Sequence, residues 1–191
     1  MKKIIPLVAI SSFLFLLCTK TPSISTDSSP NTLENVKQKE NKKETATQIY
    51  NNTADKFSLE FPATRTFEEN VYSSVMFFSP LSKNDKLREN VIMKKTLDGE
   101  YTLDEYYTRM KPGLQTLIPH FVEISKETIT INNIQAQKLI YKIQGEVKLQ
   151  RAQIYLIKNK IAYTITYTAT EDTFHEFIQK IDEMVATFEI K

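Results

Sequence analysis

The sequence predicts an α+β domain in which an antiparallel β-sheet is flanked by helices as an α/β/α sandwich. Three observations lead there. Residues 161–170 alternate strictly, with Ile161, Tyr163, Ile165, Tyr167 and Ala169 on one side and Ala162, Thr164, Thr166, Thr168 and Thr170 on the other. That is the two-residue period of a strand, with an apolar face and a small polar face. Strand-like runs are joined through Asn132-Asn133 and around Asn159-Lys160, pairs suited to tight hairpins. Only two runs show helical spacing, so strands dominate and alternating βαβ units do not fit.

Taken in order, Phe57-Ser58-Leu59-Glu60-Phe61 alternates apolar and polar and stops at Pro62, giving a strand with one buried face. Val71 to Phe78 is aromatic-rich and strand-like, closed by Ser79-Pro80. Asn90 to Leu97 places Val91, Met93 and Leu97 on one side and ends at the turn signal Asp98-Gly99. Thr102 and Glu105 then stand at capping-box spacing, each able to satisfy an unpaired N–H at a helix start. Leu103, Tyr106, Met110, Leu114, Leu117 and Phe121 follow at helical spacing, interrupted by Pro112-Gly113, which predicts a kink or two short helices. Thr128–Ile131 with Ala136–Ile143, and Gln150–Lys158 with Lys160–Thr170, read as two strand pairs. A closing helix starts near Thr170–Thr173, with Glu171 and Asp172 suited to its positive end. Phe174, Phe177, Ile178, Ile181, Val185 and Phe188 form its apolar stripe.

The first part of the chain carries a different signal. Lys2-Lys3 precede the apolar run Ile4 to Leu17. That run is shorter than the roughly twenty residues that span a bilayer and has the length of a signal-peptide core. Polarity changes abruptly after Cys18. The segment Leu14-Phe15-Leu16-Leu17-Cys18 resembles a bacterial lipoprotein box, which implies a Cys18 carrying lipid chains such as palmitate. Leu17 departs from that pattern, because a small residue is usual before the cysteine. Residues 19–48 are rich in Ser, Thr, Asn, Lys and Glu and cannot bury enough surface to offset the entropy of ordering them. The expected organisation is a signal peptide at 1–17, a disordered tether at 18–48 and one domain at 49–191, placed in the cell envelope outside the cytoplasm.

Composition narrows the chemistry. The chain has three glycines, one cysteine, two histidines and a formal charge of +2. Scarce glycine argues against phosphate-cradling loops, and one cysteine against a disulfide framework or zinc site. Removing Lys2 and Lys3 with the signal leaves a charge near zero, so no global field for nucleic acid remains.

Several segments then carry a resemblance. Phe57-Ser58-Leu59-Glu60-Phe61-Pro62, Glu89-Asn90-Val91-Ile92-Met93, Tyr101-Thr102-Leu103-Asp104-Glu105-Tyr106 and Lys160-Ile161-Ala162-Tyr163-Thr164-Ile165-Thr166, followed by the helix to Phe188, resemble the PsbP-like family in order and spacing. The resemblance covers residues 50–191. It implies an antiparallel sheet sandwiched between helices, an extracytoplasmic protein that is often lipid-anchored, and action by binding partners rather than by chemistry. Relatives often carry a Trp after the first Pro, where this chain runs Pro62-Ala63-Thr64-Arg65-Thr66-Phe67. The family's best-known photosystem role does not transfer, because fold does not imply function.

No catalytic set emerges. His120 follows Pro119 and reads as a helix-end residue. His175 with Glu171, Asp172 and Glu176 could hold a cation weakly, but acids at a helix start explain the trio better. Asp104 and Glu105 are neighbours that point apart on a helix, and capping accounts for Glu105. Ser73, Ser74 and Ser79 have no G-x-S-x-G context or evident base. Tyr106, Tyr107, Tyr163 and Tyr167 sit on core-facing stripes, which favours packing over a sugar-binding or apolar groove. The expectation is a non-enzymatic protein with no cofactor or metal, anchored at Cys18 and binding a protein partner. The alternative is a small-ligand binding protein, for which a concave apolar pocket between sheet and helix would be the sign.

Overall fold

The two asparagine turns organise the sheet. In the computed structural model, which describes residues 46–70, 73–81, 83, 87–97 and 100–191, Asn132, Asn133, Asn159 and Lys160 all have positive φ, between 45° and 63°. Two consecutive residues of that conformation give a hairpin whose twist matches its strands. They join β6 (Phe121–Ile131) to β7 (Ile134–Ile143) and β8 (Leu149–Lys158) to β9 (Ile161–Thr170). Cys18, the proposed tether up to residue 45, the Asp98-Gly99 turn and the Val71 strand start lie outside the described residues, while Thr47 and Gln48, expected at the end of the tether, instead open a strand that pairs with Phe61 and Pro62.

Upstream are β1 (Thr47–Asn52), β2 (Phe57–Pro62), β3 (Thr66–Asn70), β4 (Ser73–Phe78) and β5 (Asn90–Thr96), and the last strand is β10 (Glu189–Ile190). A seven-stranded sheet has the order β3-β4-β5-β9-β8-β7-β6, and a three-stranded sheet the order β1-β2-β10. Every pairing is antiparallel. Among the described residues the helices are α1 (Leu103–Leu117) and α2 (Phe174–Ala186).

Period-two alternation puts two cores on opposite faces of the large sheet. On one face Val91, Met93, Ile154, Leu156, Tyr163, Ile165 and Tyr167 meet Phe57, Leu59 and Phe61 of the small sheet and Phe174, Ile181 and Val185 of α2. On the other, Leu139, Tyr141 and Tyr155 meet Tyr107 and Leu114 of α1 and the following Ile118. The second core is the smaller, so α1 is the more lightly held layer. No described helix is long and apolar enough to cross a membrane.

Three expectations change. First, α1 runs unbroken through Pro112. Proline removes one N–H from the helix ladder, but Tyr107 and Leu114, buried on either side of it, hold both halves to one sheet. Second, Phe121 opens β6 rather than continuing the helical stripe, because the chain turns at Pro119 and His120, whose φ is 51°. Third, Leu97 does not join Val91 and Met93 inside: it follows the end of β5 and is 83% exposed.

Candidate functional site

The capping box at α1 forms as its spacing predicts. The Glu105 N–H donates to Thr102 Oγ1 at 3.3 Å and the Thr102 N–H donates to Glu105 Oε2 at 2.8 Å. The Thr102 N–H and the Thr102 hydroxyl, both donating to Glu105 Oε2, hold the Glu105 carboxyl below its usual range. The cap fixes where α1 starts and so which of its side chains meet β6.

There, residues distant in sequence converge. The Tyr107 hydroxyl donates to Glu123 Oε2 at 2.6 Å, and Lys111 Nζ lies 2.8 Å from the same oxygen. Lys126 Nζ reaches Asp104 Oδ1 at 3.1 Å and stands 4.4 Å from the Tyr107 ring centre. Arg109 lies over Tyr101 at 4.4 Å, a further cation–π contact. Leu117 at the end of α1 and Val122 and Ile124 along β6 are between 42% and 50% exposed, Val122 lying opposite Lys142 on the sheet face away from α1. β6 is the edge strand, so among the described residues its outer N–H and C=O groups pair with no strand. Tyr, Arg and exposed aliphatics beside an open edge make a surface of protein-interface composition.

Glu123 ties α1 to β6 electrostatically. Burial would raise its pKa, but hydrogen bonds from Lys111 and Tyr107 and the charges of Lys111 and Lys126 outweigh that and hold it below the ordinary value. A carboxyl whose pKa is lowered by folding adds stability above its unfolded pKa and loses it as pH falls through the folded value. Stability therefore drops between neutral pH and pH 3, and Glu123→Gln removes part of that drop. Unfolding midpoints of both proteins at pH 7 and pH 3 check this; an identical drop in the two excludes it.

The remaining candidate residues do not assemble into a reactive set. His120 and His175 are exposed, and His175 lies edge-on to the Phe174 ring at 5.4 Å. Glu171 is engaged by Lys142, whose hydrogen bond holds the Glu171 carboxyl below its usual range. Among the described residues no group of three His, Cys, Asp or Glu is placed to hold a metal ion. Tyr163 and Tyr167 belong to the larger core, and Tyr106 packs on Tyr155 at 5.3 Å. Ser73 bonds Asn70.

Ser79, by contrast, has a carboxylate partner that no sequence spacing announces. Its hydroxyl donates to Glu89 Oε2 at 2.8 Å, and the Thr173 hydroxyl donates to Glu89 Oε1 at 2.9 Å. This buried knot joins the end of β4 and the start of β5 to the start of α2. It contains no histidine and reads as structural.

Both sheet–helix interfaces are filled by side chains. Among the recesses formed by the described residues are two open ones. One, of about 450 Å³, lies between the start of α1 and strands β6–β8; the other, of about 480 Å³, is lined by Asp55, Glu69, Asn70, Ser73, Ser74, Lys94 and Lys95.

A seven-stranded antiparallel sheet with a helix on each face places the chain among α+β sandwich proteins. Within that class the fold is PsbP-like. The cyanobacterial PsbP protein CyanoP from Synechocystis matches with a TM-score of 0.55 at 16% identity, over 76% of this chain and 92% of that one. A Pseudomonas aeruginosa protein of unknown function matches at 0.56 and 17% identity, over 76% and 97%. LpqN of Mycobacterium tuberculosis, described as involved in cell envelope biogenesis, matches at 0.53 and 13% identity, over 76% and 84%. No protein-family model matches the sequence, and no curated protein does.

Proposed function

We propose that this is a non-enzymatic cell-envelope protein, lipid-anchored at Cys18, whose domain binds a protein partner through the α1–β6 surface. The observation that carries the reading is that surface: an open edge strand flanked by exposed Leu117, Val122 and Ile124 and by Tyr and Arg side chains. The filled sheet–helix interfaces favour it over an enclosed small-ligand pocket, and the envelope role stated for LpqN is consistent with it. A tether of about thirty residues after the anchor would let the domain reach partners many ångströms from the membrane.

A photoactivatable residue at Val122 in the native cell crosslinks to a defined protein, and one at Ile49, exposed on the small sheet, does not. Equal, unspecific labelling from both positions rejects the interface. Anchoring has a separate readout: growth with labelled palmitate marks the wild type and leaves Cys18→Ser unmarked. Equal labelling of the two rejects it.

A further inference from the structure

On its α1 side the large sheet is wider than the helix that covers it. Its seven strands, about 4.8 Å apart, span about 29 Å, whereas a helix with its side chains covers about 10–12 Å. α1 packs on Leu139, Tyr141 and Tyr155 of β7 and β8, and no other described helix lies on that side. The ladders carry the same rows outward beyond it. Tyr141 stands opposite Arg151, Arg151 opposite Thr168, and Thr168 opposite Asn90. In the next row Leu139, Gln153, Thr166 and Ile92 follow one another. Residues directly opposite on paired strands point the same way, so both rows share the face of Tyr141 and Leu139.

Three neighbouring polar atoms of this patch have no partner. Arg151 Nε, Gln153 Oε1 and Thr168 Oγ1 are each buried without a hydrogen bond. Thr168 is 4% exposed. Arg151, Gln153, Thr166 and Asn90 are only half-buried, so the patch is open and the two long side chains can turn toward a ligand. Arg151 bonds the Tyr141 hydroxyl but forms no ion pair with a described residue. Glu123, beyond Tyr141 in the same row, is taken by Lys111 and Tyr107. A guanidinium withdrawn from water with no counter-charge is unfavourable, and an anionic group of a ligand would balance it.

The three groups restrict what that ligand can be. A guanidinium N–H beside a threonine hydroxyl suits the two oxygens of a carboxylate. The Gln153 carboxamide suits a hydroxyl, which can both donate and accept. A phosphate would bring a second charge, and Lys94, the next cation on this face, stands opposite Thr164, about 13 Å along β9 from Thr168. An apolar acid would leave Gln153 unpaired, and a neutral sugar would leave Arg151 uncompensated. We infer that the uncovered face of β8, β9 and β5 binds a hydroxycarboxylate of the sugar-acid kind. Its carboxylate meets Arg151 and Thr168, and a hydroxyl meets Gln153. This patch is separate from the α1–β6 protein surface, and either can fail without the other.

The test is a titration of the full chain with glucuronate, read by NMR at the Thr166 and Ile92 methyl groups and the Arg151 Nε–H. Glucose and acetate carry the hydroxyls and the carboxylate separately. Glucuronate is expected to shift these signals with a Kd on the order of 1 mM, and each partial ligand to bind about 10-fold more weakly, as the loss of one set of contacts implies. Thr168→Val is expected to weaken glucuronate several-fold while leaving the unfolding midpoint unchanged or higher, since the hydroxyl has no partner in the fold. Should that variant not fold, Arg151→Lys, which keeps the charge but loses the planar fork, is expected to weaken binding about 10-fold. No shift at the patch, or full binding by either variant, overturns the inference. Glucose binding as well as glucuronate overturns it, because the charge then plays no part. Acetate binding as well as glucuronate overturns it in favour of a site for any carboxylate, such as an acidic side chain of a partner protein.

Discussion

Phe188→Ala lowers the stability of the domain by about 3–5 kcal/mol, whereas Leu97→Ala changes it by less than about 0.5 kcal/mol. Phe188 follows α2, is 1% exposed, and its ring lies 5.5 Å from Phe57 and 5.6 Å from Tyr163. Phe57 belongs to the small sheet and Tyr163 to the large one, so this one ring touches both layers and closes the helix that lies against them. Removing it leaves a cavity that rigid aromatic neighbours cannot collapse into. Asn132 Nδ2 also donates to the Phe188 carbonyl at 2.9 Å, which pins the backbone and limits repacking further. Denaturant midpoints at constant m-value give both numbers. A loss under about 1 kcal/mol at Phe188 means the layers are joined elsewhere, and a comparable loss at Leu97 means that Leu97 is buried after all.

The contrast between those two residues explains how much of the fold was legible. Phe188 closes a stripe with a 3.6-residue period that continues from Phe174, and such a pattern has one physical solution, an apolar face laid on the sheet. β9 was equally plain because both of its faces keep period two for ten residues. Leu97 fits the same rule over a shorter run, but the strand ends at Thr96, and beyond a strand end side-chain parity no longer sets the face. β6 was half missed for another reason. Its first residues carry Glu123 and Lys126, which on an edge strand face water and α1 rather than a core, and a bulge between Glu123 and Ser125 breaks the alternation. β3, whose five residues are all exposed, carries no apolar period at all. The Tyr107–Glu123–Lys111 network on the candidate surface joins α1 to β6 across a register that only folding sets. Its hydrogen-bonded partners are not legible in the sequence, although the sequence does place Tyr107 on a core-facing stripe.

Glu89→Ala costs about 2–4 kcal/mol, more than any exposed glutamate, because it is the hub where three elements end. The carboxylate is 7% exposed and accepts from Ser79 on one oxygen and Thr173 on the other. Thr173 is the N-cap residue of α2, yet its own side chain makes no capping bond to the helix. It donates to Glu89 instead, and the nearby Thr170 hydroxyl accepts the Thr173 N–H at 3.3 Å. A buried negative charge thus sits where the helix dipole is positive, the role the sequence suggested for Glu171, which is engaged by Lys142 instead. Alanine removes two charge-assisted bonds and strands the Ser79 hydroxyl, while the Thr173 hydroxyl keeps the Thr170 hydroxyl at 2.9 Å. Glu89→Gln keeps an acceptor for one of them and is expected to cost about half as much. The decisive measurement is a double-mutant cycle with Thr173→Val, which should return a coupling of about 1–2 kcal/mol, together with faster amide exchange in the first turn of α2 in Glu89→Ala. Additive effects would mean that the two side chains act independently and that α2 is started by its apolar stripe alone. Coupling would mean that the start of β5 and the start of α2 form as one unit, fixing the sheet and the helix against each other before Phe188 closes the other end of the same helix.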